Sequence, residues 1–292
     1  MQRAQPRVRQ NLRARVADLE GRNPEWRPWL ALLGELERAL AEPARDGDTD
    51  LIRPTAARPD GAPLLQGAEV AVDAGRLTRW LGRLTAAVAA CDRSAPLAQY
   101  RPAPDAAVGL VGATLRHDSR AIERLAGDAG LAPAALATLA HVAVVPLLLA
   151  AARSPAGSPP PHWLHGYCPI CAAWPILAEM RGLDRSRRLR CGRCATEWTV
   201  PWLRCAYCGE ARHERLGSLV PEAEMETRKV ETCETCHGYL KAVTTLEAFS
   251  PVELFVRDLE TVELDLIAVD RGFARPDGPG YPLDVRVTPV GP

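Results

Sequence analysis

The chain has 292 residues, with 36 Lys plus Arg against 36 Asp plus Glu, so it is formally neutral with a pI near 7.0. Neutrality excludes a protein-wide basic field for gripping nucleic acid, and also an acidic tail. A hydrophobic share of 47% with 25% charged residues excludes a disordered, collagen-like or multi-span membrane chain.

The length suggests about two domains. The opening stretch MQRAQPRVRQNLRARV carries arginines without an apolar core behind them. It resembles neither a signal peptide nor an anchor, and points to the cytoplasm. Residues 7–20 and 24–42 read as helices, with Leu30, Leu33, Leu36 and Leu40 three and four apart. A proline-spaced loop follows, through Pro43, Pro54, Pro59 and Pro63. Asp73 then caps a helix to about residue 93, with Leu77, Leu81, Leu84 and Val88 on one face. Asp105 and Ser119 open two more helices, to about residue 117 and residues 127–130.

Residues 131–152 carry no formal charge, and their length suits a membrane span. High alanine content, His141, Pro133 and Pro146 favour a buried helix instead, started by Pro133 and kinked by Pro146. Residues 1–152 thus form an all-α domain. The proline-rich stretch SPAGSPPP makes 153–166 a stiff linker.

Beyond it the character changes. Eight of the nine cysteines form four CxxC pairs: Cys168/Cys171, Cys191/Cys194, Cys205/Cys208 and Cys233/Cys236. Cys91 is left over and reads as a small buried hydrophobe on its helix. Without a secretory signal, such pairs point to metal ligands rather than disulfides. Two CxxC turns supply four thiolates, which suits tetrahedral zinc or iron. The intervals between successive pairs are 19, 10 and 24 residues. Nineteen fits the C-x2-C-x15–20-C-x2-C zinc pattern and 24 slightly exceeds it. This pairs the first turn with the second and the third with the fourth; a crossed arrangement stays open.

Residues 215–220 and 225–231 read as strands around a turn at 221–224, and 239–246 as another. The bridge ATEWTVPWLR puts Trp198, Val200 and Trp202 on one face and couples the two ribbons. Pro201 marks an edge or break there. Residues 167–249 therefore form a double metal-ribbon domain. Residues 250–292 hold one amphipathic helix at 256–271, with Leu259, Val262, Leu266 and Val269 on one side, and an extended surface tail. The fold class is α+β: an all-α domain, two tandem ribbon modules and a C-terminal helix.

His162, His165 and His237 lie close to the cysteines, but eight thiolates already complete two sites. His117 and His141 read as helix-packing residues. Arg181, Arg185, Arg187, Arg188, Arg190, Arg193 and Arg204 make the first ribbon basic, whereas the second is acidic through Glu222, Glu224, Glu226, Glu231 and Glu234. No phosphate loop, nucleophile elbow or HExxH motif appears in the sequence.

The order of motifs resembles the formate dehydrogenase accessory protein (FdhE) family. It runs CPIC-x-x-x-P, LRC-x-x-C-x-TEW, LRC-x-x-C-G-E, ETC-x-x-C-x-GYLK, DL-x-T-x-x-LD and GFARP, over residues 166–276. The resemblance implies a non-enzymatic cytoplasmic factor. It would bind the catalytic subunit of a formate dehydrogenase and support its maturation, with the eight cysteines holding two rubredoxin-like metal ions, iron favoured. Ala172 and Ala195 stand after the second cysteine of a turn, where Gly is often found. The Arg-rich hairpin, Trp174 and Trp198 are the candidate contacts for the client. No nucleic acid or membrane partner is expected. A nucleic-acid-binding ribbon protein and a rubredoxin-like electron carrier are the rival classes.

Overall fold

The computed structural model describes residues 6–42, 52–53, 58–154, 157, 163–220 and 227–290. The helical half begins with α1 (Pro6–Arg22), a 3-10 turn (Pro24–Trp26) and α2 (Arg27–Ala41). After β1 (Ile52–Arg53) and β2 (Glu69–Asp73) come α3 (Ala74–Cys91), α4 (Pro104–Leu115), α5 (Ser119–Asp128) and α6 (Pro133–Arg153). Capping follows the sequence at Asp73, whereas Asp118, one residue before Ser119, caps α5, and α4 starts at Pro104 rather than Asp105. The Asp73 carboxylate accepts from the Arg76 amide at 2.8 Å, and that of Asp118 from Ala121 at 2.9 Å.

The 3.6-residue leucine periodicity places Leu30, Leu33, Leu36, Leu81 and Leu84 in one core. By length and composition α6 could cross a membrane, but 56% of its apolar window is buried. It packs against α2, α3, α4 and α5, with Leu136, Leu139, Val145 and Leu148 wholly inside. The helix continues past Pro146. Cys91 is exposed at the end of α3, not buried as its residue type suggested, because the last turn of the helix leaves the core.

Six strands form the main sheet: β3 (Pro175–Arg181), β4 (Ser186–Cys191), β5 (Glu197–Trp198), β6 (Leu216–Leu219), β7 (Arg228–Cys233) and β8 (Tyr239–Thr245). Their order is β5-β4-β3-β8-β7-β6. Each ribbon is antiparallel, and the two join through parallel pairing of β3 with β8, from Leu177↔Lys241 to Arg181↔Thr245. This is the main coupling of the ribbons. The 195–204 bridge, expected to do it, contributes only the two-residue β5. Central parallel strands are covered on both faces. Leu177, Ala178 and Ala242 are accordingly buried, and so are the charged Glu179 and Lys241.

The C-terminal region departs from the expected single helix and extended surface tail. Two helices form, α7 (Pro251–Glu260) and α8 (Val262–Asp270), separated at Thr261. Thr261 leaves helical geometry (φ −115°, ψ 25°) and its hydroxyl donates to the Arg257 carbonyl at 2.9 Å. The break turns Leu264 and Ala268 inward and leaves Val262, Leu266 and Val269 exposed. The tail then returns as β9 (Arg286–Val290), parallel to β2 and completing a small sheet β1-β2-β9. Leu283 and Val285 are buried beside it. Most of the proline-spaced loop at 43–57, most of the 155–162 spacer with His162, the 221–224 turn and residues 291–292 lie outside the described residues.

Candidate metal centres

Each ribbon hairpin gathers two CxxC turns. One turn precedes β3 and the next closes β4, so pairing of Pro175 with Cys191 brings them together. The third precedes β6 and the fourth closes β7, where Leu216 pairs with Cys233. Two sulfur sets result: Cys168, Cys171, Cys191 and Cys194, then Cys205, Cys208, Cys233 and Cys236. Within each set all sulfurs lie within 4.8 Å of one another, and each set could hold one metal ion. The sets are sequential, not crossed, because an antiparallel hairpin joins its own two ends.

The donor geometry fits a tetrahedral ion. Bonds of about 2.3 Å to sulfur give tetrahedron edges near 3.8 Å. In the first set Cys168 and Cys194 are 3.4 Å apart, and Cys171 lies 3.4 Å from Cys191 and 3.7 Å from Cys194. In the second, Cys205–Cys236 and Cys208–Cys233 are each 3.7 Å. Disulfide bonding needs about 2.05 Å. Backbone amides point at the sulfurs: Ile170 at Cys168 (3.4 Å), Arg193 at Cys191 (3.3 Å) and Tyr207 at Cys205 (3.4 Å).

The residue after each turn bends back with positive φ: Ala172 (62°), Ala195 (54°), Gly209 (77°) and His237 (51°). Three of the four accept that left-handed geometry without being glycine. Burial pushes the Cys168 and Cys194 thiols up. Burial raises Cys171 too, but hydrogen bonds from the other three sulfurs and the charge of Arg193 bring it down on balance. Without an ion the buried sulfurs disfavour charge, so Cys171 is the favoured thiolate; a bound cation would compensate the burial of the others.

The two clusters differ in exposure. All four sulfur residues of the first are buried; in the second Cys208 and Cys236 are exposed and Cys205 half-buried. The helical half covers the first. The His117 ring donates from Nε2 to the Cys171 carbonyl at 2.8 Å, and His141 Nε2 to the Gly192 carbonyl at 2.7 Å. Arg193 Nη1 lies 3.2 Å from His117 Nδ1 and 2.8 Å from Nε2; with Nε2 serving the carbonyl, Nδ1 is the acceptor. Burial, then the charge of Arg193, lowers both imidazoles to about 4, so they are neutral donors at physiological pH. His117, in the turn after α4, and His141, on α6, thus each brace one turn of the buried cluster. The sequence concealed this role, since each histidine is more than 50 residues from its partner.

Much of the basic run is turned inward, although Arg185 is exposed and Arg188 half-buried. Arg187 is buried and bonds Glu231 across the sheet at 2.7 Å. Arg190 is buried against Glu179, Arg193 against Thr114 and His117. These guanidiniums compensate buried carboxylates and carbonyls within the fold. Trp198 is also inside, donating to the His165 carbonyl at 3.2 Å. Trp174 packs edge-on against Tyr207 at 5.4 Å, bridging the two ribbons. His165 stacks on Tyr167 at 4.9 Å and belongs to neither sulfur set; His237 lies near Phe273. The exposed aromatic of this half is Trp202.

The motif residues outside the cysteines converge on one buried ion cluster. Lys241 Nζ contacts Asp258 Oδ1 at 2.6 Å and Asp265 Oδ2 at 2.7 Å. Arg275 bonds the same carboxylates at 3.1 and 2.7 Å, and Tyr239 donates its hydroxyl to Asp265 at 2.8 Å. Two cations balance two anions, which lets Lys241 be fully buried. GYLK, DL-x-T-x-x-LD and GFARP thus clasp β8, α7, α8 and the following turn together.

Comparison with known proteins bears on this arrangement. Residues 203–279 match the family model described as "FdhE, C-terminal domain". A Protein FdhE homolog of Pseudomonas aeruginosa is 32% identical over 204 residues, covering 61% of this chain and 62% of that protein. A Protein FdhE homolog of Aquifex aeolicus is 28% identical over 117 residues, or 39% of this chain and 41% of that one. The matched stretches thus span less than two thirds of these relatives. The crystal structure of the FdhE protein from Pseudomonas aeruginosa has the same fold, with a TM-score of 0.54, 22% identity and 90% coverage of both chains.

Proposed function

We propose that this chain, similar to FdhE proteins in its sequence and fold, belongs to the FdhE family and is a formate dehydrogenase accessory protein that binds the catalytic subunit and supports its maturation. It acts as a docking platform in the cytoplasm, not as a catalyst. The observation that carries this reading is the pair of four-sulfur sets built into one six-stranded sheet. Eight thiolates would hold two ions, iron by the family resemblance, and four sulfurs around each leave no open position for substrate. An ion bound there supplies a crosslink that stabilises a thin ribbon by ~10–16 kcal/mol apparent. His117, His141 and the Lys241 clasp hold the two ribbons against the helices, giving a client a stiff surface. Inward-facing Arg187, Arg190 and Arg193 weigh against a phosphate-tracking surface, and so against the nucleic-acid alternative.

The test is co-expression with a formate dehydrogenase catalytic subunit. Tagged protein, purified without oxygen, is expected to retain that subunit and to carry two metal ions by mass spectrometry. Absence of the subunit from the eluate, with normal dehydrogenase activity in cells lacking the protein, rejects the reading.

A further inference from the structure

A groove runs beside the exposed sulfur cluster, where the 199–204 bridge crosses the face of the second ribbon. Its volume is about 220 Å³. That is below the roughly 300–1,000 Å³ of small-molecule sites, yet it admits one large side chain. One wall is apolar and open to water: Trp202 is 50% exposed and Leu203 61%. Isolated exposed apolar residues need no explanation, but two neighbours lining a groove do.

The polar wall is rich in donors. Glu231 accepts two bonds from Arg187, at 2.7 and 3.1 Å, and is 3.8 Å from Lys229. Lys229 sits 6.0 Å from the Trp202 ring centre, a cation–π contact. Arg204 has no carboxylate partner among the described residues. Its guanidinium lies over Gly209, whose missing Cβ would come within 3.2 Å of Nη2. Arg187, Arg204 and Lys229 thus line the groove together with a single carboxylate, Glu231. A tetrathiolate around a divalent ion would add a charge of about −2 nearby, so the local field is close to neutral. Binding here depends on direct contacts, not on long-range attraction.

We propose that this groove receives an extended segment of the client protein, with a large apolar side chain against Trp202 and Leu203 and an adjacent carboxylate on Arg204 and Lys229. The inference rests on the accessory reading and adds the client's contact chemistry to it.

Two measurements on the full chain test it. The first compares capture of the catalytic subunit by the wild type and by a Trp202→Ala, Leu203→Ser, Arg204→Gln triple variant. The second titrates the acetylated, amidated tetrapeptide Asp-Phe-Glu-Leu, with Asn-Phe-Gln-Leu and Asp-Ala-Glu-Leu as controls, following the Trp202 indole N–H resonance. The triple variant is expected to lose capture by at least about tenfold, and the acidic aromatic peptide to bind at least about tenfold tighter than either control. Equal capture by wild type and triple variant overturns the groove while leaving the accessory reading intact. If even the wild type captures nothing, the accessory reading fails and the peptide series decides alone: equal binding of all three peptides overturns the groove. Metal content and thermal transition report folding. Should the triple variant be perturbed, Leu203→Ser, at the most exposed of the three positions, replaces it in the capture comparison.

Discussion

The two sulfur clusters come from the same hairpin plan and similar spacing, yet their surroundings differ. Helices α4 and α6 cover the first, and His117 and His141 each hold one of its turns. The second has Tyr207, Tyr239 and the clasp on one side and water on the other, with Cys208 and Cys236 exposed. Spacing settles which sulfurs can meet; the neighbours settle how easily an ion or an oxidant reaches them.

The largest test of that contrast removes one sulfur from each side. Cys171→Ser is expected to abolish the folded, soluble protein, because the buried cluster lies where helices and sheet meet. Cys208→Ser should lose one metal equivalent while the helices and the first cluster survive. At stake in each case is a substantial part of the ~10–16 kcal/mol of apparent binding energy. Metal analysis and circular dichroism melts distinguish the variants, and equal loss in both erases the contrast. In the wild type, a chelator should likewise remove one equivalent rapidly and the other slowly.

Next in size is the clasp. Lys241→Met leaves Arg275 as the one cation of the cluster for Asp258 and Asp265, so a loss of about 3–5 kcal/mol is expected in urea unfolding. The first cluster should still bind its ion, since the clasp serves the second ribbon.

His141 gives a smaller, pH-dependent effect. Its folded pKa, about 4, lies below the ordinary value of 6.5. The unfolded chain therefore takes up the extra proton first. The ring's contribution is complete above pH 6.5 and is lost as pH falls toward 4, by up to about 3 kcal/mol. His141→Gln keeps a donor for the Gly192 carbonyl and does not titrate. Urea midpoints at pH 7, 6 and 5 should fall less steeply in that variant than in the wild type. Identical slopes would show that the ring is not held neutral by the fold. The smallest effect belongs to Leu246→Ser, at a position 74% exposed on the sheet rim, which should change stability by no more than about 0.5 kcal/mol.

Local chemistry made much of this molecule readable in advance. The Leu30–Leu33–Leu36 stripe, the Asp73 cap and the CxxC turns each depend on neighbours within a few residues, and all appear in the structure. Reading failed where partners are remote. The arginines of the hairpin looked like client contacts because Glu179 and Glu231 could not be placed opposite them. A helix at 256–271 looked continuous because its break at Thr261 is compensated by side-chain bonding and by burial of Leu264. The tail looked loose although Leu283 and Val285 alternate as a strand requires, because its partner β2 lies more than 200 residues earlier.

By itself, the order of residues determined most of the helices, the Asp73 cap and the two hairpins with their sulfur sets, since periodicity and short loops act over one or two turns of chain. Tertiary structure alone decided that β3 joins β8, that two histidines brace one cluster, and that the other faces water. Those outcomes depend on which surfaces exclude solvent together, a property of the packed whole that no window of sequence contains.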